Sequence, residues 1–467
     1  MLLTICFLLL IFGLSGYISG KKGIGALIFF FFLTDGFHFL SKDWLSIKYT
    51  DFAIIYLFGI SFINLLTGNF SFFKPKNKIF KWAVLIGIYI SIEFIRTIVF
   101  KEEIAYYALA NYRTYLPFFS FFIVQELGYK EQKDLLKQIA IITVLSTILY
   151  VLQPLLEIQI FQHARITEEN GTLRFRNIPY LVYFYLLYAT IIFKFTDIKS
   201  VLLLVLFIIA IVLTQHRAVF LAYGVIIIVY LALSRKAGKA VQYGIIGIFL
   251  FLFVGDAVLT RFEAENRETT TWEDIQNVIN LRYESFIEEG YKTESDGTLS
   301  FRVLLLTERI QFILEHPKYT LFGIGTRHED SPYTEDEFDF ILGTSKNNTD
   351  GEGAGIGQIS SSDLSWLNPL MRFGVIGITL LICFSFLILR YLYKNRKQSD
   401  LAMSAFLFYL FLILISFKND HLYGNMQMFF VYLLIAHIDK ISRRGGEQKS
   451  YRKIENERTL ERLVDKE

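Results

Sequence analysis

The chain has 467 residues, 53% of them hydrophobic, with 47 Phe and 27 Tyr. That apolar and aromatic load lies outside the range of soluble globular domains and leaves a membrane-embedded chain. A formal net charge of +3 carries no basic excess that would suit nucleic acid, and the useful signal is where the charges fall.

Apolar runs of roughly 17 to 20 residues recur about thirteen times along the chain, each long enough to cross a hydrocarbon core. In chain order they are Leu2–Ile18, Gly23–Leu40, Phe52–Leu66, Trp82–Phe100, Tyr112–Val124, Gln138–Leu155 and Pro179–Phe193. Val201–Thr214, Ala218–Leu233, Ala240–Val254, Leu367–Leu389, Leu401–Phe417 and Met426–His437 complete the series. None alternates apolar and polar residues as the strands of a membrane barrel do, so the predicted fold class is all-α, a polytopic helix bundle. The first run has no basic segment before it and no small-residue cleavage site after it, which predicts a retained helix rather than a signal peptide.

Lysine and arginine concentrate in alternate loops: Lys21 and Lys22; Lys74 to Lys81; Lys130, Lys133 and Lys137; Lys194 and Lys199; Arg235 to Lys239; and Arg390 to Lys397. The positive-inside rule places these loops, and the tail with Arg443, Arg444, Arg452 and Lys453, in the cytoplasm of a bacterial-type plasma membrane. The long polar segment from Asp256 to Trp366, with about 22 acidic against about 9 basic residues, then falls outside. The predicted organisation is ten transmembrane helices over 1–255, an extracytoplasmic loop domain over 256–366, three more helices over 367–440 and a charged cytoplasmic tail over 441–467. Within the loop, Trp272–Arg282 and Phe301–Leu314 read as helices, the second ended by Pro317. From Arg327 to Ser362 the composition turns acidic and then Gly/Ser/Asn-rich, as a mobile lid or a linker would. Glu157–Asn177, with His163, Arg165, Arg174 and Arg176, forms a second outer loop.

Cys6 and Cys383 lie inside apolar runs far apart and read as packing residues, with neither a disulfide nor a metal site implied. No Asp-x-Asp stands where it could hold a metal on a nucleotide diphosphate, and no cofactor is expected. The sequon at Asn347 carries little weight.

Charges at membrane level are costly and mark a site or an ion pair. Arg113 is predicted at the outer start of the fifth helix, Arg174 and Arg176 before the seventh, and His216 with Arg217 in the turn between the eighth and ninth. Asp363 and Arg372 flank the start of the eleventh helix, and Asp420 with His421 sits between the last two. Arginines gathered at an outer surface suit a lipid-linked phosphate or diphosphate; head-group snorkelling is the bland reading for each. Arg217 interrupts an apolar stretch that needs only a turn, which strengthens its case. Glu93 and Arg96, three apart on one helix face, read as a mutually satisfied pair; Asp35 and His38 share that ambiguity.

Three ordered blocks carry a family resemblance. Leu213-Thr214-Gln215-His216-Arg217-Ala218-Val219-Phe220-Leu221-Ala222 resembles the LT-x-SR-x-x-x-LA signature of the O-antigen polymerase and O-antigen ligase family, with His216 in place of serine. Arg302, His316-Pro317 and Leu321-Phe322-Gly323-Ile324-Gly325 are similar to its loop segment. Asp363 to Leu370, continuing to Gly374 and Gly377, is similar to its HN-x-x-L-x-x-L-x-x-x-G-x-x-G stretch, with Asp363 where ligases have histidine.

The resemblance implies transfer of a glycan from an undecaprenyl diphosphate donor to a sugar hydroxyl at the outer face, and the missing histidine tilts it toward a polymerase of repeat units over a ligase. On that reading Arg217, Arg113 and Asp363 are the catalytic candidates, and Arg174, Arg176, His216, Arg302, Arg372 and His421 are the substrate-binding ones. The implied partners are lipid-linked donor and acceptor, membrane lipids, a chain-length regulator and a flippase. A flippase for the same units is the rival transporter reading, disfavoured by the folded outer segment and the lack of a long internal repeat. A purely structural membrane protein explains the helices but leaves Arg217 idle.

Overall fold

The computed structural model describes residues 2–38, 48–100, 103–156, 158–161, 166–169, 172–175, 178–179, 181–194, 196–214, 216–234, 238, 298–338, 340, 358–359, 364–417, 422 and 427–443. The chain opens with α1 (Leu2–Ile18) and α2 (Lys22–Leu33), followed by α3 (Tyr49–Leu66) and α4 (Lys78–Phe100). Gly13 and Gly25 let α1 and α2 approach so closely that a Cβ at Gly25 would stand 3.1 Å from the Gly13 carbonyl and 2.1 Å from the Tyr56 hydroxyl of α3. Small residues at a helix crossing of this kind replace the hydrophobic drive that lipid cannot supply.

The predicted single helix over Tyr112–Val124 is broken. α5 (Ala105–Tyr112) ends just before Arg113, a 3-10 turn follows over Leu116–Ser120, and α6 (Phe121–Glu126) resumes. Pro117 is the cause, because it lacks an amide hydrogen and its ring disfavours helical backbone at the preceding residue. Arg113 therefore follows a short helix instead of opening a long one.

Next come α7 (Tyr129–Leu156), a hairpin of β1 (Ile166–Glu169) and β2 (Thr172–Phe175), α8 (Val182–Ile192), α9 (Ile198–Thr214) and α10 (Arg217–Ser234). The hairpin lies in the predicted outer loop and pairs Thr167 with Arg174; it is the one sheet among the described residues. The run Ala240–Val254 and the predicted helix Trp272–Arg282 lie outside the described residues.

The predicted loop helix is present as α11 (Thr298–Glu315), and Pro317 ends it by opening α12 (Pro317–Thr320). α13 (Pro332–Glu337), α14 (Leu367–Asn395), α15 (Asp400–Ile415) and a helix over 427–443, α16, are the remaining α-helices among the described residues. The lid-or-linker reading of Arg327–Ser362 is corrected for its described part: Phe338, Phe340 and Ile359 join Leu305, Ile313, Tyr319 and Ile324 in a separate apolar core. Arg309, 1% exposed, lies 3.7 Å over the Phe340 ring and donates from Nε to the Gln358 carbonyl at 3.1 Å. Burial pulls its guanidinium down to about 10, against the opposing charges of Glu308 and Glu329, and it stays cationic at neutral pH.

Among the described residues four helices are long and apolar enough to cross a membrane: Tyr49–Leu66, Lys78–Phe100, Tyr129–Pro154 and Leu367–Asn395. Leu85, Ile88, Ile92, Ile95 and Val99 form one exposed stripe on α4, and Phe58, Phe62 and Leu65 another on α3. A stripe of that size facing outward on several helices is what lipid, not water, accommodates.

Candidate functional site

The two ends of the bundle differ in charge chemistry. At one end Glu126 accepts from Lys22 and Lys76, each at 2.9 Å, and Lys440 reaches the Leu127 carbonyl. The other end gathers the first turn of α3, the last turn of α4, all of α5, the start of α14 and residues 321–328.

There α14 is not continuous. Gly374 adopts φ 59°, ψ −161°, a conformation open in practice only to glycine. The backbone groups this break releases are taken up by the loop: Ile324 N–H donates to Met371 O at 2.8 Å, Gly325 N–H to Arg372 O at 2.8 Å, and Ile376 N–H to Leu321 O at 3.1 Å. Two of the sequence blocks thus lock together through main chain. A Cβ on Gly323 would stand 2.5 Å from Met371 O, and one on Gly374 would stand 2.5 Å from Gly323 N.

α4 fastens this joint from the side. Arg96 donates to Phe322 O at 2.9 Å and to Gly323 O at 3.1 Å while its Nε pairs with Glu93 at 2.7 Å. Thr97 Oγ1 accepts from Thr326 N–H at 2.9 Å, and Tyr89 donates to Phe373 O at 2.9 Å. The Glu93–Arg96 pair is mutually satisfied as the spacing suggested, and the same arginine also holds the loop.

Beyond the joint Arg327 is buried between Glu103 and Glu337, and Asn111 of α5 donates to its carbonyl. Burial lowers its pKa, with Glu103 and Tyr333 acting against the shift. The next residue, His328, faces the Tyr107 ring at 6.0 Å. Burial lowers the His328 pKa, Asp330 opposes, and the nearby charges of Arg372 and Lys48 lower it further. Lys48 precedes α3, where its N–H donates to Asp51 at 2.8 Å, and Asp51 also accepts from Arg113 at 3.1 Å. Arg372, 7% exposed, donates from Nη1 to the Tyr115 hydroxyl at 3.3 Å. Its Nε finds no hydrogen-bond acceptor among the described residues.

A histidine held below its ordinary value near 6.5 binds fewer protons folded than unfolded, so its contribution to stability is complete above that pH and is lost as pH falls from there through the lower folded value. The protection factors of residues 321–328, exchange rates corrected for their intrinsic pH dependence, are expected to fall as pH drops below 6.5, and His328→Gln is expected to flatten that dependence.

Of the residues singled out in the sequence, Arg113 and Arg372 come to this end together, two residues and one hydrogen bond from Tyr115. Arg217 opens α10, and His216 is half-buried directly before it. Arg174 lies on β2, and Arg302 is half-buried on α11. Asp363, Arg176, His421, Asp420, His163 and Arg165 lie outside the described residues. Lys48, Asp51, Glu103, Tyr115, Arg327 and His328 were not singled out. The signal available for the last two was their position directly after the glycine-rich loop block.

Residues 202–382 match the O-antigen ligase family. This segment belongs to the O-antigen ligase family. The match runs from α9 to the middle of α14, so it contains Arg217 and both halves of the loop–helix joint, while Lys48, Arg96 and Arg113 precede it. A comparison with curated proteins finds no match to the chain. The matched segment and the apolar helices together support an integral membrane protein with a glycosyl-transfer function of the O-antigen ligase or polymerase type. Among the described residues no group of histidine, cysteine and carboxylate side chains could hold a metal ion.

Proposed function

We propose that the protein polymerises undecaprenyl-diphosphate-linked oligosaccharide repeat units at the outer face of a bacterial plasma membrane, with 256–366 extracytoplasmic and the C-terminal tail cytoplasmic. The observation that carries this reading is Arg372, nearly buried, bonded to the Tyr115 hydroxyl at 3.3 Å and with its Nε lacking an acceptor among the described residues, inside a segment that matches the O-antigen ligase family.

The acceptor hydroxyl oxygen attacks the anomeric carbon of the donor; the bond from that carbon to the diphosphate oxygen breaks, and its electron pair leaves with the diphosphate. Arg217 binds the diphosphate and stabilises the charge that grows on it, because a guanidinium fork matches phosphate oxygens and is charged at every working pH. Asp363 takes the hydroxyl proton as general base; helix capping is its alternative use. Arg176, Arg174, His216, Arg302 and His421 line the sugar and phosphate path. Arg113 pairs with Asp51 at 3.1 Å.

The test is transfer by the purified protein in liposomes with a lipid-diphosphate-linked repeat unit. A ladder of products with release of lipid diphosphate is expected. A single transfer to a distinct acceptor would make it a ligase, and intact unit crossing the bilayer without transfer would make it a flippase.

A further inference from the structure

A polymerase of this kind has two substrates that each carry a diphosphate, so one arginine centre is half of what the reaction needs. We propose that Arg372, with Tyr115, His328 and Lys48, forms a second anion site that holds the diphosphate of the lipid-linked acceptor; this rests on the polymerase reading above.

Three observations support it. Arg372 is 7% exposed, and its Nε has no acceptor among the described residues. A guanidinium taken out of water with one donor idle is costly unless an anion completes it. Arg372 and Lys48 both lower the pKa of His328, so each cation acts on that imidazole. Asp330 and Glu329 also face His328 and oppose that positive field. Asp51 is occupied by Arg113 at 3.1 Å, so that carboxylate does not neutralise the site.

The two arginines stand on different helices. Arg217 opens α10, which packs on α15, and α15 packs in turn on α14, where Arg372 lies. The Arg372 end is built from α3, α5, α14 and residues 321–328. Donor at one arginine and acceptor at the other brings the acceptor hydroxyl to the donor's anomeric carbon without the two diphosphates sharing a site, which their mutual repulsion would oppose. The carbon–oxygen bond to the donor diphosphate breaks, and the acceptor keeps its own diphosphate linkage intact.

The experiment uses the full chain in nanodiscs, with farnesyl diphosphate as the binding probe and acceptor-dependent transfer as the kinetic one. The wild type is expected to bind two equivalents and Arg372→Gln one. The same substitution is expected to raise the acceptor KM roughly ten-fold, the loss of one charge-assisted hydrogen bond, with the donor KM changing far less. Lys48→Gln, on an exposed residue, is expected to shift the acceptor KM in the same direction and guards against misfolding of the Arg372 variant. One equivalent bound by a wild type that polymerises overturns the second site alone. Two equivalents bound without transfer to a lipid-linked acceptor overturn the polymerase reading, and the acceptor assignment with it. Equal loss of donor and acceptor in both variants overturns separate sites.

Discussion

Arg217→Ala is expected to reduce chain extension by roughly 10²- to 10³-fold, below detection on a gel, which is the usual consequence of removing a group that meets charge developing in the transition state. The amount of membrane-inserted protein should stay at the wild-type level. Arg217 opens α10, and alanine is the better helix former. Arg217→Lys separates two roles: a point charge restores steering of an anion but not the two-pronged fit to phosphate oxygens, so partial recovery of binding without recovery of rate is expected. Wild-type polymer length from Arg217→Ala would remove this arginine from the reaction.

Gly374→Ala is expected to be the most disruptive single change in the described structure. It forces a side chain into φ 59°, ψ −161° and sets a Cβ 2.5 Å from Gly323 N and 2.6 Å from Leu321 O. Strain and overpacking together cost roughly 3 kcal/mol or more, enough to release the loop from α14. The apparent Tm should fall by several degrees, and limited proteolysis should cut near 321–328. Gly323→Ala strikes the same joint from the other side, against Met371 O at 2.5 Å. The double variant should therefore cost less than the sum, since the second change acts on a joint already open. Strictly additive effects would mean that the two glycines serve separate ends.

The helical class was legible because a 3.6-residue period and long apolar runs are properties of local sequence. Pro317 marked the end of α11 correctly for the same reason. Pro117 carried an equal signal, yet the apolar run around it hid the break, because apolarity reports burial in lipid and not continuity of the helix. The Glu93–Arg96 pair was readable at a spacing of three, but not its reach to Phe322 and Gly323, more than two hundred positions along the chain. Lys48, Tyr115 and His328 were illegible for that reason: each is unremarkable in its own window and acquires meaning only when α3, α5 and α14 are brought to one end. Arg327 was read as part of a lid because acidic, glycine-rich neighbours dominated its composition, while its burial between Glu103 and Glu337 depends on partners that composition does not reveal.

The joint between Leu321–Gly325 and Met371–Ile376 is itself written in amide hydrogens, carbonyls and two glycines, with Arg96, Thr97 and Tyr89 of α4 bracing it from the side. Such a connector is indifferent to the cargo mounted on it. The stretch preceding it can be exchanged, lengthened or reshaped to meet a different sugar while its anchorage to the bundle stays the same, so diversification of the glycan recognised need not be accompanied by redesign of the membrane machinery beneath.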